Sequence, residues 1–277
     1  MPSDSWRQAG AFFDWKGHRI FHRVEGNGAA VLLVHGFPTS SWDWERIWPA
    51  LAAEHRVLAL DLIGFGFSAK PRDFAYSVMA YADLVEALLE RQGVKRYHLV
   101  AHDLGDSVAQ ELLARKAPIA SLCLLNGGLF PETHRALLGQ KLLASPIGPL
   151  VARLATFGTF SKNMRQVCAR PIDDEELRGM WQLLQRDGGA AIMPQLIGYI
   201  EERKRQRERW VGALVGTDVP VRLIAGLGDP VSGAHMVARY RALVPRPDVV
   251  ELPGVGHYPQ VEAPEDVLAA VRAQLVR

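Results

Sequence analysis

Asp103, Asp229 and His257 have the residue types, and the order along the chain, that nucleophilic hydrolysis requires. Asp103 lies in residues 97–106 (YHLVAHDLGD), where an apolar run meets a turn and a helical pattern, with small residues two positions on either side of it. This is the sequence context of a nucleophile elbow. A carboxylate there is ionised at neutral pH and can attack an electrophilic carbon directly, whereas a serine would first need a base. The pattern therefore favours chemistry on strained rings or carbon–halogen bonds over ester cleavage by serine.

Each of these three residues also has an ordinary structural interpretation. Asp103 could cap the helix that follows it, Asp229 could begin an Asp-Pro turn, and His257 could be a solvated histidine in a glycine-rich loop. The catalytic interpretation is favoured because all three follow predicted strands, and reactive groups of open α/β sheets gather at the carboxyl ends of strands. A rival position for the acid, after another strand, holds Asn126, which cannot carry the charge.

A second turn, with the sequence His-Gly-Phe-Pro, is predicted to supply backbone donors beside Asp103. Gly36 permits a close approach of the backbone, and Pro38 stiffens the turn. The N–H groups of Phe37 and Leu104 are then expected to point at one spot and to form an oxyanion hole.

The elements that must position these residues alternate between strands and helices. Continuous apolar runs predict strands that are buried on both faces. The predicted strands are residues 11–15, 19–24, 29–34, 56–60, 121–125, 219–225 and 249–252, the first two as a hairpin, together with a short strand within residues 97–106 before the turn at Asp103. Helices are predicted near Ser41, over residues 77–90, 107–116 and 235–243, and from Pro264. This alternation predicts the α/β fold class, with a mostly parallel eight-stranded sheet covered by helices on both faces.

Residues 128–212 contain helical patterns but no strand-like run. They are predicted to form an inserted helical cap, or lid, and residues 1–127 and 213–277 to form the core domain. Tyr199 is the one tyrosine of this block. It shares an apolar stripe with Ile192 and Leu196 in what we interpret as one helix, so its phenol is expected over Asp103. The alternative is a core tyrosine that bonds to backbone.

The charged run at residues 201–209 (EERKRQRER) is interpreted as a solvated helix face, because its acids and bases are interspersed.

Composition limits the classes of partner. The chain has 277 residues and a net charge of +2, without the basic face of a nucleic-acid-binding protein. Two distant cysteines, an N-terminus without a signal-peptide core and the lack of a bilayer-spanning run predict a cytoplasmic protein with no membrane partner. No metal or organic cofactor is expected, and a homodimer stays open.

The quoted motifs, together with Asp61-x-x-Gly64-x-Gly66-x-Ser68, resemble the epoxide hydrolase and haloalkane dehalogenase branch of the α/β-hydrolase superfamily over nearly the whole chain. Within it, residues 35–44, 121–135 and 209–214 are similar to the mesoderm-specific transcript group. The resemblance implies an α/β-hydrolase fold with a helical cap and a triad of nucleophile, acid and histidine in that order.

Two positions separate the members of that branch. Haloalkane dehalogenases generally carry Trp directly after the nucleophile and often Asn as a second halide donor, where this chain has Leu104 and Phe37, which have no side-chain donor. Epoxide hydrolases commonly have Phe or Trp at the Phe37 position and use cap tyrosines as acids. The resemblance therefore favours an epoxide hydrolase that acts on a small apolar epoxide and water. A haloalkane dehalogenase and a non-catalytic binding protein are the alternatives.

The substrate pocket is predicted between cap and sheet, with Phe37, Trp181 and Tyr199 in its wall. The family usually has two acidic tyrosines, and only Tyr199 is identified in the cap. Trp181 and His134 are the candidates to replace the second.

Overall fold

The computed structural model describes residues 2–276. These residues fold around one eight-stranded sheet. Its strands are β1 (Ala11–Trp15), β2 (His18–Glu25), β3 (Ala30–Val34), β4 (Arg56–Leu60), β5 (Tyr97–His102), β6 (Ile119–Leu125), β7 (Val221–Gly226) and β8 (Asp248–Leu252). Their order is β1-β2-β4-β3-β5-β6-β7-β8. The β1–β2 and β2–β4 pairs are antiparallel and the others are parallel. This confirms the α/β fold class and the mostly parallel eight-stranded sheet.

Helices follow most of the strands. They are α1 (Pro2–Gln8), α2 (Trp48–Ala52), α3 (Val78–Arg91), α4 (Leu104–Ala114), α5 (Leu138–Leu143), α6 (Gly148–Arg153), α7 (Phe157–Val167), α8 (Asp174–Gln185), α9 (Gly189–Leu196), α10 (Tyr199–Arg205), α11 (Arg207–Gly216), α12 (Ala234–Leu243), α13 (Pro259–Glu262) and α14 (Pro264–Leu275), with short 3-10 turns at Ser41–Trp44, Pro131–Thr133 and Arg186–Gly188. Among these described residues, no helix is long and apolar enough to cross a membrane.

The register of the central strands brings their carboxyl ends to one level. All five residues of β3 are buried, as expected for a strand covered on both faces. Its last residue, Val34, pairs with Leu60 of β4 and Ala101 of β5. The turns that begin at His35 and Asp61, and the turn at Asp103, therefore emerge side by side.

Asp61 holds the turn after β4 against the turn after β3. Its Oδ1 accepts hydrogen bonds from the N–H and the hydroxyl of Ser41, at 2.8 and 2.6 Å, and its Oδ2 accepts from the Phe67 N–H at 2.7 Å. Gly66 has φ +50° and a Cβ there would lie 2.1 Å from Oδ2, so a side chain would clash with the carboxylate. The Asp-x-x-Gly-x-Gly-x-Ser motif thus has a structural role at the edge of the site.

Between β6 and β7, the described residues form helices and turns but no strand. The predicted end of the cap at Gly212 lies inside α11, which packs against α4 of the core. The division into core and cap at residues 128–212 therefore stays a prediction, and "cap" is used below for this helical block.

The single helix predicted over Ile192 and Tyr199 is wrong. Helix α9 ends at Leu196, a turn follows, and α10 begins at Tyr199. At the break Gly198 donates its N–H to the Gln195 carbonyl, three residues back, at 3.2 Å, which is the hydrogen bond of a tight turn. Tyr199 therefore reaches its place on a new helix and not along a continuous stripe.

Candidate active site

Asp103 occupies a sharp turn between β5 and α4. Its backbone has φ 47° and ψ −103°, and φ is positive although the residue is not glycine. Helix α4 begins at Leu104, three residues before the predicted start at Ser107, so Asp103 stands at the N-cap position. Its side chain nevertheless makes no capping hydrogen bond, so the interpretation as an ordinary helix cap is wrong. Strained backbone of this kind is concentrated at functional sites.

Two glycines allow the turns to pack against each other. A Cβ on Gly105 would lie 2.4 Å from the Val34 carbonyl oxygen, and a Cβ on Gly36 would lie 2.7 Å from the Asp103 Cβ. Both distances are too short for real side chains. The small residues beside the elbow are therefore required by its contact with the strand β3 and the turn after it.

Three donors surround the Asp103 carboxylate. The Phe37 N–H and the Tyr199 hydroxyl donate to Oδ2, at 3.2 and 3.3 Å. The Arg203 Nη2 group donates to the backbone oxygen of Asp103 at 2.7 Å and to Oδ1 at 3.3 Å. Leu104, the other predicted oxyanion donor, is buried at the start of α4. Its N–H is not among the hydrogen-bond donors to the Asp103 carboxylate in the part of the chain that the structure describes.

The charge of Asp103 is stabilised in spite of burial. Burial acts to raise the pKa of this carboxyl, but Arg203, and after it His257, act in the opposite direction and the net pKa lies below its usual value. A cation beside a buried carboxylate favours the ionised form. Asp103 is therefore an anion at neutral pH, as a carboxylate nucleophile must be.

Arg203 is the site residue that the sequence interpretation missed. Its side chain is 2% exposed, so the prediction of a wholly solvated face for residues 201–209 is wrong. Its Nε donates to the Ser107 hydroxyl at 2.6 Å, and its guanidinium lies 4.6 Å from the ring centre of Tyr199. The spacing of Tyr199 and Arg203, four residues apart on α10, puts both on one helix face. That spacing was the signal in the sequence.

His257 and Asp229 form a buried pair. The His257 Nδ1 lies 2.8 Å from Asp229 Oδ2, which also accepts hydrogen bonds from the Ser232 hydroxyl at 2.7 Å and the Asn126 amide at 3.0 Å. Asn126, just after β6, thus hydrogen-bonds to the carboxylate of Asp229. The sequence interpretation had considered position 126 only as a rival place for the acid. Burial acts to raise the pKa of Asp229, but His257, together with the hydrogen bonds from Ser232 and Val231, brings that pKa below its usual value.

The carboxylates of Asp229 and Asp103 raise the pKa of His257. Burial alone would lower it, but Asp229, and after it Asp103, raise the pKa of His257 to about 9. The imidazole is therefore a cation at neutral pH while both carboxylates are charged. Neutralising Asp103 would remove part of this effect and lower the His257 pKa.

The loop that carries His257 is fixed to the cap by one carboxylate. The residues on either side of His257 donate their N–H groups to Glu262, at 2.9 and 3.1 Å. Glu262 also accepts the N–H groups of Ala169 and Arg170, both at 2.8 Å. In addition, the His257 N–H donates to the Val167 carbonyl at 2.9 Å. The loop of His257 is therefore tied by hydrogen bonds to the end of α7 and the residues that follow it.

A cavity of about 340 Å³ opens between the cap and the sheet. That volume suits a small ligand. Phe37 and His257 lie in its wall on the core side, and Trp181 lies in its wall on the cap side. Tyr199, predicted as a third wall residue, is not among the lining residues. Its ring centre lies 6.0 Å from that of Phe37, which does line the cavity. Mainly apolar side chains of α5, α6 and α7 complete the wall.

No second phenol points at Asp103 within residues 2–276. The Tyr258 hydroxyl donates to the Phe37 carbonyl at 3.1 Å, and the Tyr76 hydroxyl donates to another backbone carbonyl at 2.7 Å. His134 has neither ring nitrogen paired among the described residues, and burial lowers its pKa to about 4. It is therefore neutral at pH 7, close enough to Asp103 for the two to interact electrostatically.

Comparison with known proteins assigns the class. The pattern of the alpha/beta hydrolase family matches residues 31–271, and the chain belongs to that family. The mesoderm-specific transcript homolog protein of Bos taurus is 45% identical over 287 residues, which cover 96% of this chain and 85% of that protein. Haloalkane dehalogenase 2 of Mycobacterium tuberculosis is 27% identical over 267 residues, 94% of this chain and 92% of that one.

Among solved structures, the one described as "Epoxide hydrolase CorEH without ligand" aligns with a TM-score of 0.82 at 18% identity, over 96% of this chain and 98% of that chain. At this identity the likeness concerns the fold. The resemblance to the epoxide hydrolase and haloalkane dehalogenase branch is thus confirmed as a relationship of sequence and fold.

Proposed function

We propose that the protein is an epoxide hydrolase that opens an epoxide to a vicinal diol through a covalent ester on Asp103. The observation that carries the proposal is the environment of one carboxylate. Asp103 is charged, sits on a strained turn, and meets a backbone donor and a phenol at the same oxygen. A nucleophile and an acid side by side are what ring opening requires.

In the first step a carboxylate oxygen of Asp103 attacks an epoxide carbon. The carbon–oxygen bond of the ring breaks and its electrons go to the epoxide oxygen. Tyr199 transfers its hydrogen bond from Asp103 to that oxygen and supplies the proton for the new hydroxyl. Burial, followed by the charge of Asp103, raises the pKa of Tyr199 well above its usual value, so the phenol keeps its proton until an alkoxide forms beside it.

In the second step water hydrolyses the ester. The charge of Asp103 is lost when the ester forms, so the pKa of His257 falls from its value in the free enzyme. The proton that His257 then releases restores the phenol of Tyr199. Neutral His257, oriented by Asp229, then takes a proton from water, and the hydroxide attacks the carbonyl carbon of the ester. The Phe37 N–H, together with the Leu104 N–H, stabilises the oxyanion, worth about 3–4 kcal/mol per donor in comparable sites. The intermediate collapses, the bond between the Asp103 carbonyl carbon and the substrate oxygen breaks, and the departing alkoxide takes the proton of the carboxyl group left at Asp103. The diol leaves, Asp103 is again a carboxylate and His257 is again protonated.

Trapping the ester tests the scheme directly. His257→Gln should accept an epoxide and stop at the ester, because only the second step needs the histidine. Intact-protein mass spectrometry should show one added epoxide mass, and peptide mapping should assign it to Asp103. The matched control is His55→Gln, a half-buried histidine that precedes β4, which should turn over normally. Asp103→Asn is the blank. Full activity of His257→Gln with unmodified Asp103 would refute the scheme.

Haloalkane dehalogenation is the second candidate, favoured by the 27% identity to haloalkane dehalogenase 2. It needs donors that hold the departing halide. Leu104 has no side-chain donor, and Phe37 offers only its N–H, which is already directed at Asp103. The two reactions are separated by one panel. Diol from epoxides supports the proposal, halide release from haloalkanes replaces it, and no turnover in either series favours a non-catalytic binding protein.

A further inference from the structure

The first part of the cap carries charge of one sign only. Between Glu132 and Asp173 the chain has no acidic residue and six basic ones. All six are exposed: Arg135, Lys141, Arg153, Lys162, Arg165 and Arg170. Because the whole chain has a net charge of only +2, the rest of it is net negative, and positive charge is concentrated on this one segment.

Most of these basic groups are not neutralised by the protein. Arg165 pairs with Asp174, and Arg170 donates to backbone carbonyls. Within residues 2–276, the other four form no salt bridge. Their charges therefore face solvent and remain available to an anionic partner.

Large apolar side chains are exposed on the same segment. Four of the five strongly exposed large apolar residues of the described chain belong to it: Leu138, Ile147, Leu150 and Leu154, at 71, 54, 57 and 66% exposure. Leu150 lies within α6, and Ile147 and Leu154 lie at its two cap positions. Because the three are spaced three and four residues apart, they form one stripe. Leu138 begins α5, which packs against α6. An exposed apolar stripe of this kind marks an interaction surface.

This surface is continuous with the cavity. Leu154 is 66% exposed and also lines the cavity, so it lies at the mouth. The neighbouring residues Leu137, Leu143 and Val151 line the interior from the same two helices. The helices α5 and α6 thus present one apolar face to solvent and another to the site.

From this combination we infer that the α5–α6 face docks on the surface of an anionic lipid bilayer and opens the cavity toward it. Basic side chains around an exposed apolar stripe are the pattern of helices that lie in a membrane interface. Each Lys or Arg near an anionic bilayer strengthens binding roughly fivefold, and the apolar stripe adds burial in the headgroup region. This inference departs from the prediction of no membrane partner. That prediction depended on the lack of a bilayer-spanning run, and surface docking requires no such run.

A second copy of the chain fits this face less well. A symmetric dimer through α5 and α6 would bring Lys141 and Arg153 toward the same two residues of the other copy. No acidic residue lies between Glu132 and Asp173 to pair with them. An anionic lipid surface satisfies both the charge and the apolar stripe.

Vesicle sedimentation tests the inference without any turnover, so it does not depend on the proposed reaction. The wild-type protein should pellet with vesicles of phosphatidylcholine mixed with phosphatidylserine and stay in solution with phosphatidylcholine alone. Added salt should weaken the binding. Ile147→Ser/Leu150→Ser and Lys141→Glu/Arg153→Glu should each lower the partition coefficient by about tenfold or more. These four residues do not line the cavity.

Two controls match these variants. Lys95→Glu/Arg96→Glu makes the same charge change at two exposed residues before β5, at the opposite end of the strands from the site. Val276→Ser removes the fifth exposed apolar side chain. Both should bind vesicles like the wild type. The inference is overturned if the wild type does not distinguish the two vesicles, or if the α5–α6 variants bind like the controls. It is also overturned if sedimentation in solution shows a dimer that Ile147→Ser/Leu150→Ser converts to monomer.

Discussion

Replacing Arg203 with methionine tests how much the buried cation stabilises the charge of Asp103. Methionine keeps the length of the side chain and the helix propensity of α10 but carries no charge. The Arg203 Nη2 and Asp103 Oδ1 lie 3.3 Å apart with 2 and 5% of their side chains exposed. At an effective dielectric constant of about 20, two unit charges at that distance attract by about 5 kcal/mol, an upper value because both charges are delocalised. Removing one partner of a buried pair typically costs about 3–5 kcal/mol of stability.

We therefore expect Arg203→Met to lower the free energy of unfolding at pH 7 by about 3–5 kcal/mol. The change also removes the hydrogen bonds to Ser107 and to the backbone oxygen of Asp103. A double-mutant cycle with Asp103→Asn separates these effects, because those hydrogen bonds are lost with either residue at position 103. The double variant should be more stable than the sum of the two single changes by about 2 kcal/mol or more.

The pH dependence gives a second measure of the same interaction. In the wild type the pKa of Asp103 is lowered, so its contribution to stability is present above the unfolded-state pKa and lost as pH falls through the folded-state pKa. In Arg203→Met burial is no longer opposed by the guanidinium, so the pKa rises and acid relieves the destabilisation. The stability difference between wild type and variant should shrink as pH falls. Urea unfolding of the four proteins at several pH values measures both quantities. Strictly additive changes and a difference that does not vary with pH would refute the argument.

Three further predictions concern the reaction. Tyr199→Phe should slow ester formation by about 100-fold or more, because a donor to the developing alkoxide is lost while the ring contact with Phe37 remains; an unchanged single-turnover rate would exclude the phenol as the acid. Asp229→Asn should lower kcat by up to about 10⁴-fold, as in serine triads, and let the ester accumulate, which a normal kcat would contradict. Lowering the pH should raise the steady-state fraction of ester, because His257 must be neutral to activate water. Equal fractions in acid and alkali, measured by mass spectrometry after quenching, would show that His257 is not the base.

The sheet could be predicted from the sequence because its strands are long apolar runs. Ala30–Val34 is buried throughout and Arg56–Leu60 from its second residue onward, as expected for parallel strands that are covered on both faces. The turn at Asp103 was equally visible, since the small residues that allow it are themselves part of the pattern. The start of α4 was placed three residues late, because the sequence does not reveal that the nucleophile turn leads directly into the helix.

The cap was harder to predict, and for a physical reason. Its helices are short and joined by turns without strong signals, so the break before Tyr199 was overlooked. The position of Arg203 depends on that break, because α10 begins as a separate helix at Tyr199. On this helix Arg203 faces Asp103. Charge patterns describe the average surroundings of a helix. They do not show which single member of a charged run will meet a buried partner from a distant strand.

The carboxylate of Glu262 has a consequence for how the cavity can be entered. It joins Ala169 and Arg170 of the cap to the loop of His257 through short hydrogen bonds. If the cap swung away at this end, it would carry His257 with it and separate the imidazole from Asp229 and Asp103. An opening that leaves His257 in place therefore keeps this end attached, and we expect it to occur at α5 and α6, where Leu154 lies at the mouth of the cavity. Substrate would then enter and product would leave through the same opening. The rate at which that opening forms would set an upper limit on turnover.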